Sequence, residues 1–316
     1  MEAFVEGFHT VLQPANIFWI VIGGFLGTIV GMLPGLGPAT AVAVLIPVTF
    51  GMNPTSALIL MGAIYYGAMY GGSRSSILLN TPGDGSAIAA TFDGYPMAQQ
   101  GRAGEALAIS TVASFIGGIL AAIGFIFLAE PLASFALKFG PAEYFLLMLL
   151  TLSAIVSLSI GKMVKGFIAM CLGLLISTIG IDAQTGVHRF TMDIPHLSEG
   201  IEFLIVIIGV YAVGEVFYNF LTIDKQKKKD KKKVGRIWFT KEDWKRSKWP
   251  ILRNAPLGFI VGVLPGAGGS IASMMSYSTE KQLSKKPEEF GNGAVEGLAA
   301  PESSNNAASV GAMIPL

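Results

Sequence analysis

Charge is scarce in this chain. Of its 316 residues, 14% are Asp, Glu, Lys or Arg, while 52% are hydrophobic. A soluble globular domain carries about 25% charged residues, so the composition argues against one. Strict alternation of apolar and polar residues is also missing. Stretches such as "AIGFIFLA" (122–129) and "FLIVIIGVYAVG" (203–214) are apolar all round, unlike the alternating segments of about 10 residues in a transmembrane β-barrel. A helix needs about 20 apolar residues to cross a bilayer core. The sequence therefore predicts an all-α polytopic membrane protein embedded in a lipid bilayer.

Cysteine is nearly absent. Cys171 stands alone, which excludes a disulfide or a cysteine metal cluster within one chain. It reads as a small buried apolar residue. His9, His188 and His196 lie outside the apolar segments without ligand spacing, so no metal site or cofactor is predicted. No G-x-x-x-x-G-K-[ST] loop occurs, so the chain does not drive itself with ATP. No H-E-x-x-H or G-x-S-x-G motif occurs either, and the chain is read as not an enzyme. The opening "MEAFVEGFHT" lacks the basic region of a cleavable signal peptide.

Basic residues are present but crowded. Thirteen of the 22 Lys and Arg fall between Lys225 and Arg253. A block of this kind marks a cytoplasmic loop, with anionic lipid headgroups as a further partner. No aromatic stacking platform accompanies it, so nucleic acid is not an expected partner. Apolar segments are expected near 17–33, 39–50, 56–72, 106–129, 142–160, 165–181, 201–221, 256–276 and 291–316. Three regions follow: 1–221 with a first repeat and later transmembrane helices, 222–250 as the basic cytoplasmic loop, and 251–316 as the start of a second repeat. Working back from the loop places Lys162, Lys165 and Arg102 on the cytoplasmic side and the N-terminus outside.

What the chain does have is a repeated interruption. Gly31-Met32-Leu33-Pro34-Gly35-Leu36-Gly37 and Gly262-Val263-Leu264-Pro265-Gly266-Ala267-Gly268 share the pattern G-x-L-P-G-x-G. Proline removes a helical hydrogen bond and clashes with the preceding turn, and glycine frees the backbone. Each copy should stop a helix. Irregular backbone at membrane depth is tolerated only where protein or a wet cavity surrounds it. With the assigned topology the two copies run in opposite directions, as in inverted-topology repeats with broken or re-entrant helices. The competing reading is a kink or a close-packing device.

Such breaks suit a charged passenger. Helices beginning near Pro38 and Gly269 would present free N–H groups to a carboxylate, with Thr40 and Ser270 adding hydroxyls. Carbonyls at Leu33 and Leu264, where the preceding helices end, would suit Na⁺. About 39 residues after Pro34 comes "YGGSRSSILLNTPGDGS", and about 38 after Pro265 comes "PESSNNAASVGAMIPL". Ser73, Arg74, Ser75, Ser76, Asn80 and Thr81 are candidates in the first, and Ser303, Ser304, Asn305 and Asn306 in the second. Arg74 reads either as a bidentate carboxylate partner or as a snorkelling interfacial residue. Asp84 reads as a turn residue. Glu302 reads as a proton or cation site or as an interfacial residue. In the second copy the sequence stops before a matching Pro-Gly turn, so the chain is expected to be a piece of a longer protein.

The stretches "GMLPGLGPATAVAVLIPVTFGMNPTSALILMGAIYYGAMYGGSRSSILLNTPGDG", "GVLPGAGGSIASMMSYSTEKQLSK" and "GNGAVEGLAAPESSNNAASVGAMIPL" resemble the large membrane subunit, TctA type, of tripartite tricarboxylate transporters. The resemblance runs along the whole chain. It implies a multi-pass protein of the bacterial inner membrane that imports citrate or related carboxylates by secondary transport. A Na⁺ or H⁺ gradient would supply the drive. The implied partners are a periplasmic solute-binding protein and a small four-helix membrane subunit. The family's signatures fall on Gly31–Gly37, Ser73–Asn80, Pro82–Gly83, Gly262–Gly268 and Pro301–Asn306. From the residues alone, an anion or ion channel on the same broken helices stands as the alternative, with a membrane scaffold behind it.

Overall fold

The computed structural model describes residues 2–33, 36–136, 138, 140–157, 163–182, 185–201, 205–206, 208–214, 217, 235–264 and 268–314. Pro34, Gly35, Pro265 and Gly266 lie outside the described residues, as do ten of the 21 residues of the expected segment 201–221 and the first part of the basic run, through residue 234. Among the described residues the chain is almost wholly helical. Helices α1 (Glu2–Val11), α2 (Pro14–Gly31), α3 (Pro38–Leu45) and α4 (Pro54–Leu79) open it. After a short turn at Gly85–Ala87 come α5 (Ile88–Met97), α6 (Ala103–Ala136), α7 (Pro141–Ser157) and α8 (Met163–Ser177). An antiparallel ribbon pairs β1 (Gly180–Ile181) with β2 (His188–Arg189), and α9 (Pro195–Ser198) follows. The chain closes with α10 (Lys241–Val263), α11 (Gly268–Leu283) and α12 (Val295–Gly311).

Local chemistry sets these limits. Pro54 starts α4 behind Asn53, whose side chain accepts from the Thr55 N–H at 2.9 Å. Asn80 stops α4 in the left-handed conformation, φ +57°, a geometry that Asn tolerates at helix ends. Helix α2 ends at Gly31 and α3 begins at Pro38, while α10 ends at Val263 and α11 begins at Gly268. Both G-x-L-P-G-x-G stretches therefore separate two helices, as expected. Two stretches among the described residues, Pro14–Gly31 and Gly85–Leu128, are long and apolar enough to cross a membrane. Gly101, at φ +82°, divides the second into α5 and α6.

The segment expected near 256–276 is divided at its Pro-Gly stretch, but its first helix begins earlier than expected, at Lys241. The stretch 241–253 is thus the start of a packed helix, where a solvated basic loop was expected. Its reason is a capping box: Thr240 Oγ1 accepts from Asp243 N–H, and the Asp243 carboxylate accepts from the Thr240 N–H. Asp243, Ser247, Ile251 and Asn254 then form a buried face.

The two three-helix units, α2–α3–α4 and α10–α11–α12, pack alike. A Cβ placed on Gly27 or Gly31 would strike the carbonyl of Ile64 or Ala68 in α4. One placed on Gly258 or Gly262 would strike that of Ser304 or Ala308 in α12. Reciprocally, Gly71 sits on the Thr28 carbonyl and Gly311 on the Phe259 carbonyl. Small residues permit this approach of helix backbones. The register matches Gly31 with Gly262, Ala68 with Ala308, and Gly71 with Gly311. It does not match the serine clusters. Ser303 falls opposite Ala63 and Ser73 opposite Met313, so the two clusters differ by about ten residues, or ~15 Å of helix.

Burial is inverted relative to a soluble protein. Phe18, Phe25, Phe115 and Phe127 are exposed, whereas Ser73, Arg74, Ser110, Glu302, Ser303 and Asn305 are buried. Helix α12 is buried from Gly297 through Gly311, held between α6, α10 and α11. An apolar rind around a polar interior is what a bilayer selects.

Candidate functional site

The site is built on α4, α6 and α12. Helix α4 brings Arg74 inward, leaving it 6% exposed. Its Nη1 donates to Ser110 Oγ at 2.8 Å and its Nη2 to Thr111 Oγ1 at 3.3 Å. The Tyr70 ring lies 3.7 Å from the guanidinium carbon, close enough for a cation–π contact. Arg74 Nε has no partner among the described residues.

On the far side of Ser110 stands Glu302 of α12, 2% exposed. Its Oε2 accepts from Ser110 Oγ at 2.7 Å and from Ser114 Oγ at 3.0 Å. Arginine only donates and a carboxylate only accepts, so the direction is fixed. Arg74 gives to Ser110, and Ser110 gives its proton to Glu302. The chain joins a buried cation to a buried carboxylate through one hydroxyl, and no described residue forms a direct ion pair with either.

Beside this relay lies a cavity of about 680 Å³ between α2, α4, α6 and α12. Its polar lining includes Tyr70, Thr111, Ser114 and Asn306, and apolar residues such as Phe115 complete it. Tyr70 and Thr111 contact Arg74, and Ser114 donates to Glu302, so these lining residues stand between the cavity and the relay.

The remaining residues of interest divide into three sets. Most of the serines are satisfied by carbonyls. Ser73 donates to Met69 O, Ser75 and Ser76 to Gly72 O, Ser303 to Ile251 O, and Ser304 to Ala272 O. Asn80 is the helix stop of α4. Asn306 donates to Glu302 O at 2.9 Å. Thr81 Oγ1 and Asn305 Oδ1 are buried without a partner among the described residues.

The second set lies at the breaks. Gly37 precedes α3 and donates to Gly83 O at 3.3 Å, and a Cβ on it would meet the Asp84 side chain at 3.0 Å. Gly268 begins α11 at φ +58°. A Cβ on Gly269 would collide with Asn305 Oδ1 and touch Ser86. Both breaks thus abut the segment 83–86. Asp84 caps the turn there, accepting from Ser86 Oγ and from the Ala87 N–H. Thr40 and Ser270 occupy the first turns of α3 and α11, both half-buried. The Leu33 carbonyl, expected to be open to Na⁺, accepts from Leu36 N–H at 3.2 Å. Leu264, the residue that ends α10, is extended.

The third set was missed. Tyr70, Ser110, Thr111 and Ser114 complete the surroundings of Arg74, and Glu302 was named without being placed among the site residues. The signal was three hydroxyls spaced i, i+1, i+4 in "ISTVAS" (109–114), one face of an otherwise apolar helix. Among the described residues no three His, Cys, Asp or Glu side chains gather to hold a metal.

Comparison with known proteins gives three findings. The sequence model described as the tripartite tricarboxylate transporter TctA family matches residues 17–316. A protein of Agrobacterium vitis, described as an uncharacterized 52.8 kDa protein in the TAR-I ttuC' 3' region, is 48% identical over 310 residues, which are 98% of this chain and 62% of that relative. An uncharacterized protein of the TAR-II ttuC' 3' region from the same organism is 61% identical over 59 residues, 19% of this chain and 24% of the relative. The chain therefore spans less than two thirds of the first relative's length. No solved structure matches.

Proposed function

The chain belongs to the tripartite tricarboxylate transporter TctA family, and from that premise we propose that it is the transmembrane part of a secondary importer of carboxylates. In this reading the protein lies in the bacterial inner membrane. A periplasmic binding protein delivers the substrate, a small membrane subunit completes the complex, and a Na⁺ or H⁺ gradient drives uptake. The units α2–α4 and α10–α12 act as inverted-topology repeats. Their common glycine-on-carbonyl register supports this, together with the two breaks that meet at residues 83–86.

The observation that carries the proposal is Arg74. A guanidinium buried inside an apolar-skinned bundle is costly unless it serves a charged partner. Its Nε has no partner among the described residues, and its neighbours Tyr70 and Thr111 line the cavity. A planar fork of donors matches a carboxylate.

The test is uptake of labelled citrate, succinate and benzoate into vesicles carrying the full-length protein and its companion subunits. Saturable uptake that requires an imposed Na⁺ or H⁺ gradient is expected. Gradient-independent conductance would point to a channel, and no flux of any probe would remove the reading.

A further inference from the structure

Two opposite charges meet at Ser110 in the interior. Arg74 supplies one positive charge and Glu302 one negative, with Ser110 between them at 2.8 and 2.7 Å. All other described arginines differ in this respect or lie elsewhere. Arg102, Arg246, Arg253 and Arg189 contact carboxylates directly, while Arg236 is in an exposed segment. Arg74 alone is buried and held one hydroxyl away from its counter-charge.

The separation has a consequence. A carboxylate arriving at Arg74 finds donors that no resident carboxylate has closed off. Once it binds there, the relay carries two negative charges and one positive. Uncompensated charge in a low-dielectric interior is strongly disfavoured. Glu302 stays hydrogen-bonded to Ser110 and Ser114, so it is the group left needing a cation.

We propose that Glu302 is the coupling-ion residue: one monovalent cation, Na⁺ or H⁺, neutralises Glu302 each time a substrate carboxylate occupies Arg74. The relay makes the two events interdependent. The cation relieves the substrate's excess charge, and the substrate releases Glu302 from its pairing with Arg74. This inference rests on the transporter reading and adds the ion site and its stoichiometry to it. One monovalent ion per bound carboxylate group follows from the count at the relay, where Glu302 is the carboxylate hydrogen-bonded to Ser110 and Ser114. Asp84, a second, half-buried carboxylate that acts on Glu302, is held by Ser86 Oγ and the Ala87 N–H. Asn305 Oδ1, a buried acceptor without a donor one helical turn further along α12, is a second oxygen on the helix that carries Glu302.

The experiment is equilibrium binding of labelled citrate, succinate and benzoate to the full-length protein with its companion subunits. Na⁺ is varied at fixed pH, and pH at fixed Na⁺. For the unaltered protein, affinity for the bound probe should rise at least tenfold with one of the two cations. Glu302→Gln should bind that probe with less than a twofold dependence on the cation. Arg74→Gln should lose binding by more than tenfold at every cation level. Glu302→Gln that binds with the original cation dependence overturns the assignment while leaving the transporter reading intact. Absence of probe binding by the unaltered protein overturns both. Should Glu302→Gln fail to accumulate, Glu302→Asp decides. It keeps the charge and shortens the reach, so the cation midpoint should shift severalfold, and an unchanged midpoint contradicts the proposal.

Discussion

The interior and the basic end of this molecule treat arginine in opposite ways. At the basic end, Arg253 grips Glu280 with two bonds of 2.5 and 2.7 Å. Arg246 holds Glu296 and Glu289 at 2.6 to 2.7 Å, and Arg102 holds Glu105 and Asp243 at the same range. These forks are closed, and they tie α10 to α11, α12 and the start of α6. In the interior, the partners of Arg74 among the described residues are hydroxyls and an aromatic ring. A closed fork fixes a scaffold. A fork held open by a serine keeps the capacity to take a carboxylate from outside the chain. The same residue type is structural at one level of the bundle and functional at another, and the partner atom makes the difference.

That contrast can be broken by substitution. Arg74→Gln should reduce carboxylate uptake by more than 100-fold in vesicles. It should also lower stability by about 3–5 kcal/mol, because Glu302 is left buried without compensation. Uptake that survives would place the substrate elsewhere. Arg253→Gln should cost about 1–3 kcal/mol in a denaturation measurement, because Glu280 is nearly fully buried while Arg253 is half exposed and Asn254 still donates to the carboxylate. The affinity for substrate should not change, and a change would erase the division between the two ends.

Smaller effects sharpen the same comparison. Ser110→Ala removes the bridging hydroxyl but neither charge. We expect it to cost about 1–3 kcal/mol of stability, the usual consequence of unpairing buried donors and acceptors, and to alter cation dependence more than maximal uptake. The least effect belongs to Glu289. Lys286 first, and Arg246 with it, hold its carboxyl below the usual carboxylate range. Stability from this group is therefore present above its unfolded pKa, about 4.3, and is lost as pH falls through the lower folded value. Hydrogen-exchange protection at residues 287–293, corrected for the intrinsic exchange rate, should stay constant between pH 6 and 8 and fall only below about pH 4. A loss of protection near neutrality would contradict the assignment.

The helix ends were legible in the sequence because their causes are local. Proline and glycine at both G-x-L-P-G-x-G stretches end one helix and begin the next without help from distant residues. Asn80, expected as a ligand, has a local backbone role as well: its left-handed conformation stops α4. Ser73, Ser75 and Ser76 looked like ligands too. A membrane helix offers their hydroxyls the carbonyls of the preceding turn, and each takes one.

The relay was less legible. Ser110 and Glu302 are separated by 192 residues, and only the packing of α6 on α12 joins them. The helical start at Lys241 was hidden by its charge. Its lysines suggested a loop, while the Thr240–Asp243 capping box and the distant partner Glu296 make it a helix.

A structure of the full-length protein with a carboxylate probe bound tests the account most directly. The account predicts the probe's carboxylate within hydrogen-bonding distance of the Arg74 guanidinium, with Glu302 still on Ser110 or Ser114 and a cation or proton on its free oxygen. A probe bound away from Arg74, with the Arg74–Ser110–Glu302 chain unchanged, would contradict it.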